Sequence, residues 1–102
     1  MAFDPARPYE LHPDVALRPE PFGALAYHYG NRRLSFLRSP ELVQLVGELG
    51  GHGSAAESLV ALGVAPERWP NLIRALESLA NSGVVRPRSS RELSRDGARH
   101  GI

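Results

Sequence analysis

The sequence predicts an α+β domain with a winged-helix-like order, in which a three-stranded antiparallel sheet is followed by three helices. Two observations lead to this fold class. Side chains alternate with a period of two between residues 15 and 37, which is typical of strands. Beyond Ser39 the apolar residues recur every three or four positions, which is typical of amphipathic helices. The chain of 102 residues has room for one domain of this kind.

Three extended runs make up the predicted sheet. The first covers residues 15–18 and is terminated by Pro19. The second and third cover residues 24–29 and 33–37, and a tight hairpin joins them. Gly30 and Asn31 tolerate positive φ angles and are therefore predicted to form a two-residue turn. In the resulting register four residues share one face, which we expect to be half-buried: Tyr27 opposite Leu34, and Leu25 opposite Phe36.

The same turn predicts which backbone groups of the third run point away from the sheet. If the turn has two residues, Leu34 and Phe36 form hydrogen-bonded pairs with the neighbouring strand. The backbone groups of Arg33, Ser35 and Leu37 are then expected to face outward. There they could receive a further strand.

Each of the three predicted helices has a start signal and a stop signal. Ser39 and Ser54 are suitable N-cap residues for the first two helices. The third helix is predicted to start between Pro66 and Pro70. Each helix is expected to end close to a glycine: Gly50, Gly63 and Gly83.

Both ends of the chain lack apolar periodicity. Residues 1–13 contain three prolines and are expected to form a flexible arm, which leaves residues 14–88 as the folded domain. Residues 89–102 are rich in arginine and have little to bury, so we expect a disordered tail. Residues 1–10 contain no apolar run that could act as a signal peptide, and no apolar stretch approaches the roughly 18 residues of a membrane span. We therefore expect a cytoplasmic protein without a membrane partner.

The composition excludes most catalytic and cofactor chemistry. The chain has no cysteine, and all twelve of its basic residues are arginine. Thiolate nucleophiles, thiolate metal sites, Schiff bases and phosphate-binding lysines are therefore excluded. The four histidines have no partner at the spacing of a metal site: His12, His28, His52 and His100. We expect neither an enzyme nor a cofactor-binding or metal-binding protein.

A DNA-binding winged helix-turn-helix regulator is the main alternative, because a short connection separates the second and third helices. The third helix carries Arg68, Asn71 and Arg74, but Glu67 and Glu77 balance the two arginines. The formal net charge of +1 would release few counterions from a nucleic acid. The sequence therefore favours a function without a nucleic-acid partner.

A run near the start of the sheet is more specific. Residues 18–23 read Arg-Pro-Glu-Pro-Phe-Gly, and residues 27–30 read Tyr-His-Tyr-Gly. Together with Leu11-His12-Pro13 before them, these runs resemble the mycofactocin precursor-peptide chaperone family. The resemblance covers roughly residues 11–88 and is denser in the sheet than in the helices.

The resemblance implies a peptide-recognition element similar to the peptide chaperone of the pyrroloquinoline-quinone pathway. Such an element binds the leader of a ribosomally synthesised precursor peptide and presents it to a radical S-adenosylmethionine maturase, without a cofactor. The leader is expected to lie as an additional strand beside the third strand, against the third helix. The peptide-binding residues implied by this placement are Arg33, Leu34, Ser35, Phe36, Leu37, Arg38, Trp69, Leu72, Ile73 and Leu76.

Within this set we expect different roles. Leu37 and Trp69 are expected to line pockets for apolar side chains of the leader, and Arg33 or Arg38 to meet acidic leader residues. Most of the leucines of the third helix are expected to serve the core, with one or two reaching the groove. An open edge strand also allows a homodimer, because it can pair with the same strand of a second copy.

Overall fold

The computed structural model describes residues 3–88 and confirms the predicted α+β class. It contains a three-stranded antiparallel sheet, three α-helices and an additional pair of strands. The strands are β1 (Tyr9–Leu11), β2 (Val15–Glu20), β3 (Gly23–His28), β4 (Leu34–Leu37) and β5 (Val85–Pro87). The helices are α1 (Pro40–Glu48), α2 (Ala55–Ala61) and α3 (Trp69–Asn81). Short 3₁₀ turns at Leu49–Gly51 and Pro66–Arg68 follow α1 and precede α3.

The three-stranded sheet has the order β2-β3-β4, with β3 in the centre. The predicted residue pairing between β3 and β4 is confirmed, because Leu34 lies opposite Tyr27 and Phe36 lies opposite Leu25. The separate two-stranded sheet pairs β1 with β5 in antiparallel register.

The turn between β3 and β4 differs from the prediction. The carbonyl of His28 accepts the N–H of Arg32 at 2.8 Å, and the N–H of His28 donates to the carbonyl of Arg33 at 3.0 Å. These two bonds close a four-residue loop, in which Arg32 adopts a φ of 65°. The prediction of a two-residue turn at Gly30 and Asn31 was therefore wrong, although the residue pairs that it implied were correct.

The longer loop reverses the hydrogen-bonding pattern of β4. His28 and Arg33 form a hydrogen-bonded pair, and such pairs alternate along an antiparallel ladder. The backbone groups of Ser35 and Leu37 therefore bond β3, whereas those of Leu34 and Phe36 face away from the sheet. The expectation that Arg33, Ser35 and Leu37 face outward was wrong, because it assumed the shorter turn.

The face of the sheet that carries Leu25, Tyr27, Leu34 and Phe36 is the outer face, not the core face. The buried residues of the central strand are instead Ala24, Ala26 and His28, and Leu37 of β4 is buried beside them. Helix α1 contacts β3 on this inner face, where alanine side chains allow a close approach. The sequence indicated the wrong face because large apolar residues occupy the outer side.

The helices begin as predicted. The hydroxyl oxygen of Ser39 accepts the N–H of Leu42 at 3.1 Å, and that of Ser54 accepts the N–H of Glu57 at 3.1 Å. The hydrophobic core lies between these helices and the inner face of the sheet. Its members include Tyr9, Leu37, Leu42, Leu45, Val46, Leu49, Leu59, Leu72, Leu76, Leu79, Val84 and Val85.

The prediction of a flexible arm over residues 1–13 was wrong for residues 9–11, because these residues form β1 and pair with β5. Tyr9 is 2% exposed and its ring stacks on Phe3 at 4.3 Å. The carbonyls of Pro5 and Arg7 accept the first two N–H groups of α2 at 2.9 Å and 3.1 Å. The folded unit therefore starts before residue 14. The predicted tail, residues 89–102, lies outside the described residues.

Replacing Tyr9 with alanine tests whether this segment stabilises the domain. The substitution removes a buried aromatic side chain and should lower the free energy of unfolding by about 3 kcal/mol. Urea denaturation followed by circular dichroism measures the change. The control is Tyr29→Ala, which removes a 64% exposed tyrosine and should cost less than about 1 kcal/mol. Equal effects of the two substitutions would contradict a structural role for the first strand.

Candidate functional site

The two edges of the three-stranded sheet differ in their capacity to accept another strand. The N–H of Tyr29 donates to the carbonyl of Asp14 at 2.8 Å, so the backbone of Leu17 and Pro19 faces away from β3. Proline has no N–H, and Pro19 therefore blocks the β2 edge. The β4 edge contains no proline and presents the N–H and C=O groups of Leu34 and Phe36.

A groove runs beside this open edge, between β4 and α3. It has a volume of about 180 Å³ and is lined by Phe36, Arg38, Leu42, Ala75, Ser78 and Leu79. Small-molecule and cofactor sites usually have volumes of about 300–1,000 Å³. The groove therefore suits a protruding side chain better than a cofactor.

Polar contacts hold β4 against the end of α3. The Ser35 hydroxyl lies 3.4 Å from the Ser82 hydroxyl, and the side-chain amide of Asn31 donates to the Ser82 carbonyl at 3.2 Å. Short side chains at these positions keep the strand and the helix at a fixed separation. The groove is therefore formed before any ligand arrives.

Arg38 supplies the positive charge of the groove. Its guanidinium carbon lies 5.4 Å from the centre of the Phe36 ring, within range of a cation–π interaction. In the described part of the chain, no carboxylate oxygen lies within 4.0 Å of the Arg38 nitrogens. Arg38 is therefore available to a carboxylate of a bound molecule.

Comparison with known proteins identifies the family of the chain. The model of the MftB peptide chaperone family matches residues 8–86, which is most of the sequence. The chain belongs to this family. The resemblance to the mycofactocin precursor-peptide chaperones is thus confirmed. The role of a peptide chaperone is non-catalytic, and the MftB-family chain is accordingly not an enzyme.

Three curated relatives support the assignment. Peptide chaperone MftB of Mycolicibacterium smegmatis is 44% identical over 85% of this chain and 85% of its own length. Peptide chaperone MftB of Mycobacterium ulcerans is 42% identical over 87% of this chain and 82% of its own length. The Mycobacterium tuberculosis protein of the same name is 41% identical, with corresponding shares of 86% and 81%. No solved structure shows a significant match to the chain.

The MftB-family chain brings only part of the predicted binding set to the open edge. Phe36 and Arg38 line the groove, and Leu34 provides edge backbone groups. Ser35 contacts α3, and the exposed Arg33 closes the loop before β4.

The other predicted binding residues lie in or beside the core. Leu37, Leu72 and Leu76 are buried in the core, and none of the three is among the residues that line the groove. Trp69 is half-buried against the core and donates its indole N–H to the carbonyl of Val64 at 3.0 Å. Ile73 is also half-buried against the core. The expectation that Leu37 and Trp69 line the groove is therefore revised.

Four lining residues were not in the predicted binding set: Leu42, Ala75, Ser78 and Leu79. Ala75 and Ser78 lie three positions apart, on the side of α3 that also carries Ser82. Helical periodicity shows that these residues share one side of α3, but their side chains are too small to produce the apolar pattern by which binding residues were predicted.

Within the described residues, the structure shows neither a candidate metal site nor a membrane-spanning helix. Across residues 3–88, no group of three or more histidine, aspartate or glutamate side chains is placed to hold a metal ion. Over the same residues, no helix is both long enough and apolar enough to cross a membrane.

Filling the groove tests its role directly. Ala75→Phe places a ring between α3 and β4 and should weaken binding of a precursor leader by about tenfold or more, because 1.4 kcal/mol corresponds to a factor of ten. Fluorescence anisotropy with a labelled synthetic leader measures the affinity. The matched control is Ala61→Phe on the exposed side of α2, which should leave the affinity unchanged. Equal affinities of the two folded variants would show that the groove is not used.

Proposed function

We propose that this MftB-family protein binds the leader of a ribosomally synthesised precursor peptide as an added strand on β4 and presents it to a radical S-adenosylmethionine maturase. The observation that carries the proposal is the unblocked edge of β4 beside a preformed groove. Strand addition is a common mode of peptide recognition, because an open edge already holds its hydrogen-bonding groups in line.

The edge alone would give only part of the affinity. Leu34 and Phe36 offer four backbone groups, and each hydrogen bond contributes about 1 kcal/mol net, which gives about 4 kcal/mol. A micromolar dissociation constant requires about 8 kcal/mol, beyond the cost of association. Each buried apolar side chain contributes about 1.5–3 kcal/mol. At least two leader side chains must therefore be buried.

This requirement defines the kind of leader that the site accepts. In an added strand, every second side chain points toward α3, where Ala75, Ser78 and Leu79 form the wall of the groove. We infer a leader with apolar residues two positions apart and an acidic residue placed to reach Arg38. A carboxylate there would form a charge-assisted hydrogen bond with the guanidinium group.

The alternative of DNA binding receives less support. Arg68 forms an ion pair with Glu41, and Arg74 donates to the side chain of Asn71 at 2.7 Å. Both arginines of the α3 region are thus engaged within the protein, and the net charge is only +1. A duplex would therefore find little free positive charge on this helix.

Presentation to a maturase is the finer part of the proposal. The curated relatives are named peptide chaperones, and a chaperone of a precursor peptide requires an enzyme that receives it. The recipient named here, a radical S-adenosylmethionine maturase, rests on the family resemblance. The three components would meet in the cytoplasm, where ribosomes release the precursor.

Removing one edge N–H tests the binding mode. Leu34→Pro should weaken leader binding by about tenfold or more with little effect on melting, because the lost N–H faces away from the sheet. Leu34→Ala controls for the side chain and should bind nearly as tightly as the wild type. Fluorescence anisotropy gives the affinities, and circular dichroism verifies folding.

A second proline variant tests the hydrogen-bonding pattern on which this expectation depends. Ser35→Pro removes an N–H that bonds β3, so it should lower the melting temperature where Leu34→Pro does not. A folded Leu34→Pro protein with full leader affinity would contradict strand addition at β4.

A further inference from the structure

The outer face of the sheet is unusually apolar for a surface. Six large side chains form what we call the outer sheet face: Phe22, Leu25, Tyr27, Tyr29, Leu34 and Phe36. Leu34 is 52% exposed and Phe36 is 50% exposed, although both are large hydrophobic residues. All of the helices that form the core pack on the opposite side. The fold therefore does not use this face.

The outer sheet face has the shape and composition of a protein-binding surface. A depression of about 410 Å³ is lined by Ala16, Arg18, Leu25, Tyr27, Tyr29 and Leu34. The Tyr27 and Tyr29 rings meet edge to face at 5.1 Å, and the Phe22 and Phe36 rings stack at 5.8 Å. Aromatic side chains held in this way are enriched at the centre of protein interfaces, where they contribute most of the binding energy.

We propose that the outer sheet face is the docking surface for the peptide-modifying enzyme, a proposal that rests on the function proposed above. The enzyme would contact it through an apolar patch bordered by carboxylates. Charge supports this choice, because Arg18 and Arg38 lie on the same side of the sheet as the aromatic rings. Glu20 pairs with Arg18 at 3.6 Å, but the Arg18 side chain remains 78% exposed and can meet a carboxylate of the enzyme at the border of the face.

The size of the face argues against a second copy of the chain as its occupant. The sixteen residues of the three strands, each occupying about 4.8 Å by 3.4 Å of the sheet, cover roughly 260 Å². A stable interface of standard size buries about 800 Å² on each partner. The outer sheet face therefore requires additional surface from elsewhere, which a symmetric pairing of this face would not supply.

The bound leader would supply part of that surface. As a fourth strand beside β4, it would place every second side chain on the outer face, next to Leu34 and Phe36. The enzyme would then contact the protein and its leader together. Leader binding and enzyme binding should strengthen each other, because such coupling is reciprocal.

The test is the double variant Leu25→Thr/Tyr27→Thr. Both residues lie on the central strand, away from the open edge, and threonine retains strand propensity. Affinity for the purified radical S-adenosylmethionine maturase, measured by isothermal titration calorimetry with and without leader, should fall at least tenfold. Affinity for the labelled leader should stay within about twofold of the wild type, because the β4 edge is unchanged. The matched control Val60→Thr removes an exposed apolar residue of α2 and should bind both partners normally.

The outcomes separate this inference from the proposed function. Unchanged maturase affinity in the double variant would overturn the inference. The inference would also be overturned if sedimentation velocity showed that the substitutions convert a homodimer into monomers while the maturase affinity is unchanged. A wild-type protein that binds the maturase but not the leader would instead contradict strand addition, and the maturase titration would still decide the role of the outer sheet face.

Discussion

The hydrogen bonds of one buried histidine determine the length of the β3–β4 loop, on which the orientation of the β4 backbone depends. The Nδ1 atom of His28 accepts the N–H of Gly30 at 2.9 Å and that of Asn31 at 3.2 Å. The imidazole thereby stabilises a four-residue loop. A β-carbon on Gly30 would lie 2.8 Å from the His28 ring, so the loop also requires a residue without a side chain at this position.

The four-residue loop determines which backbone groups of β4 point away from the sheet. It makes Ser35 bond the central strand and turns the backbone of Leu34 and Phe36 outward. The opposite edge is blocked by Pro19, which limits uncontrolled strand pairing to one side. The open edge adjoins the groove between β4 and α3 as well as the aromatic outer sheet face, and Phe36 belongs to both. One added strand would therefore contribute side chains to both surfaces.

Local rules predicted the features that depend on neighbouring residues, such as the serine caps of α1 and α2 and the pairing of β3 with β4. Three other features depend on distant contacts and could not be predicted. The strand at Tyr9–Leu11 pairs with residues more than 70 positions away, and prolines around it indicated a loose arm. The buried face of the sheet is set by helix packing on Ala24 and Ala26, which carry a weaker apolar signal than Tyr27. The groove is lined by small α3 residues that have no distinctive pattern.

The central claim is that the leader pairs with the outward-facing backbone of β4. Amide hydrogen exchange measured residue by residue, by nuclear magnetic resonance with and without saturating leader, tests it most directly. In the free protein the Leu34 and Phe36 amides should exchange much faster than those of Ser35 and Leu37, which bond β3. Leader binding should slow exchange at Leu34 and Phe36 and leave Leu17 on the opposite edge unchanged. Unaltered exchange at Leu34 and Phe36 in a saturated complex would contradict the account.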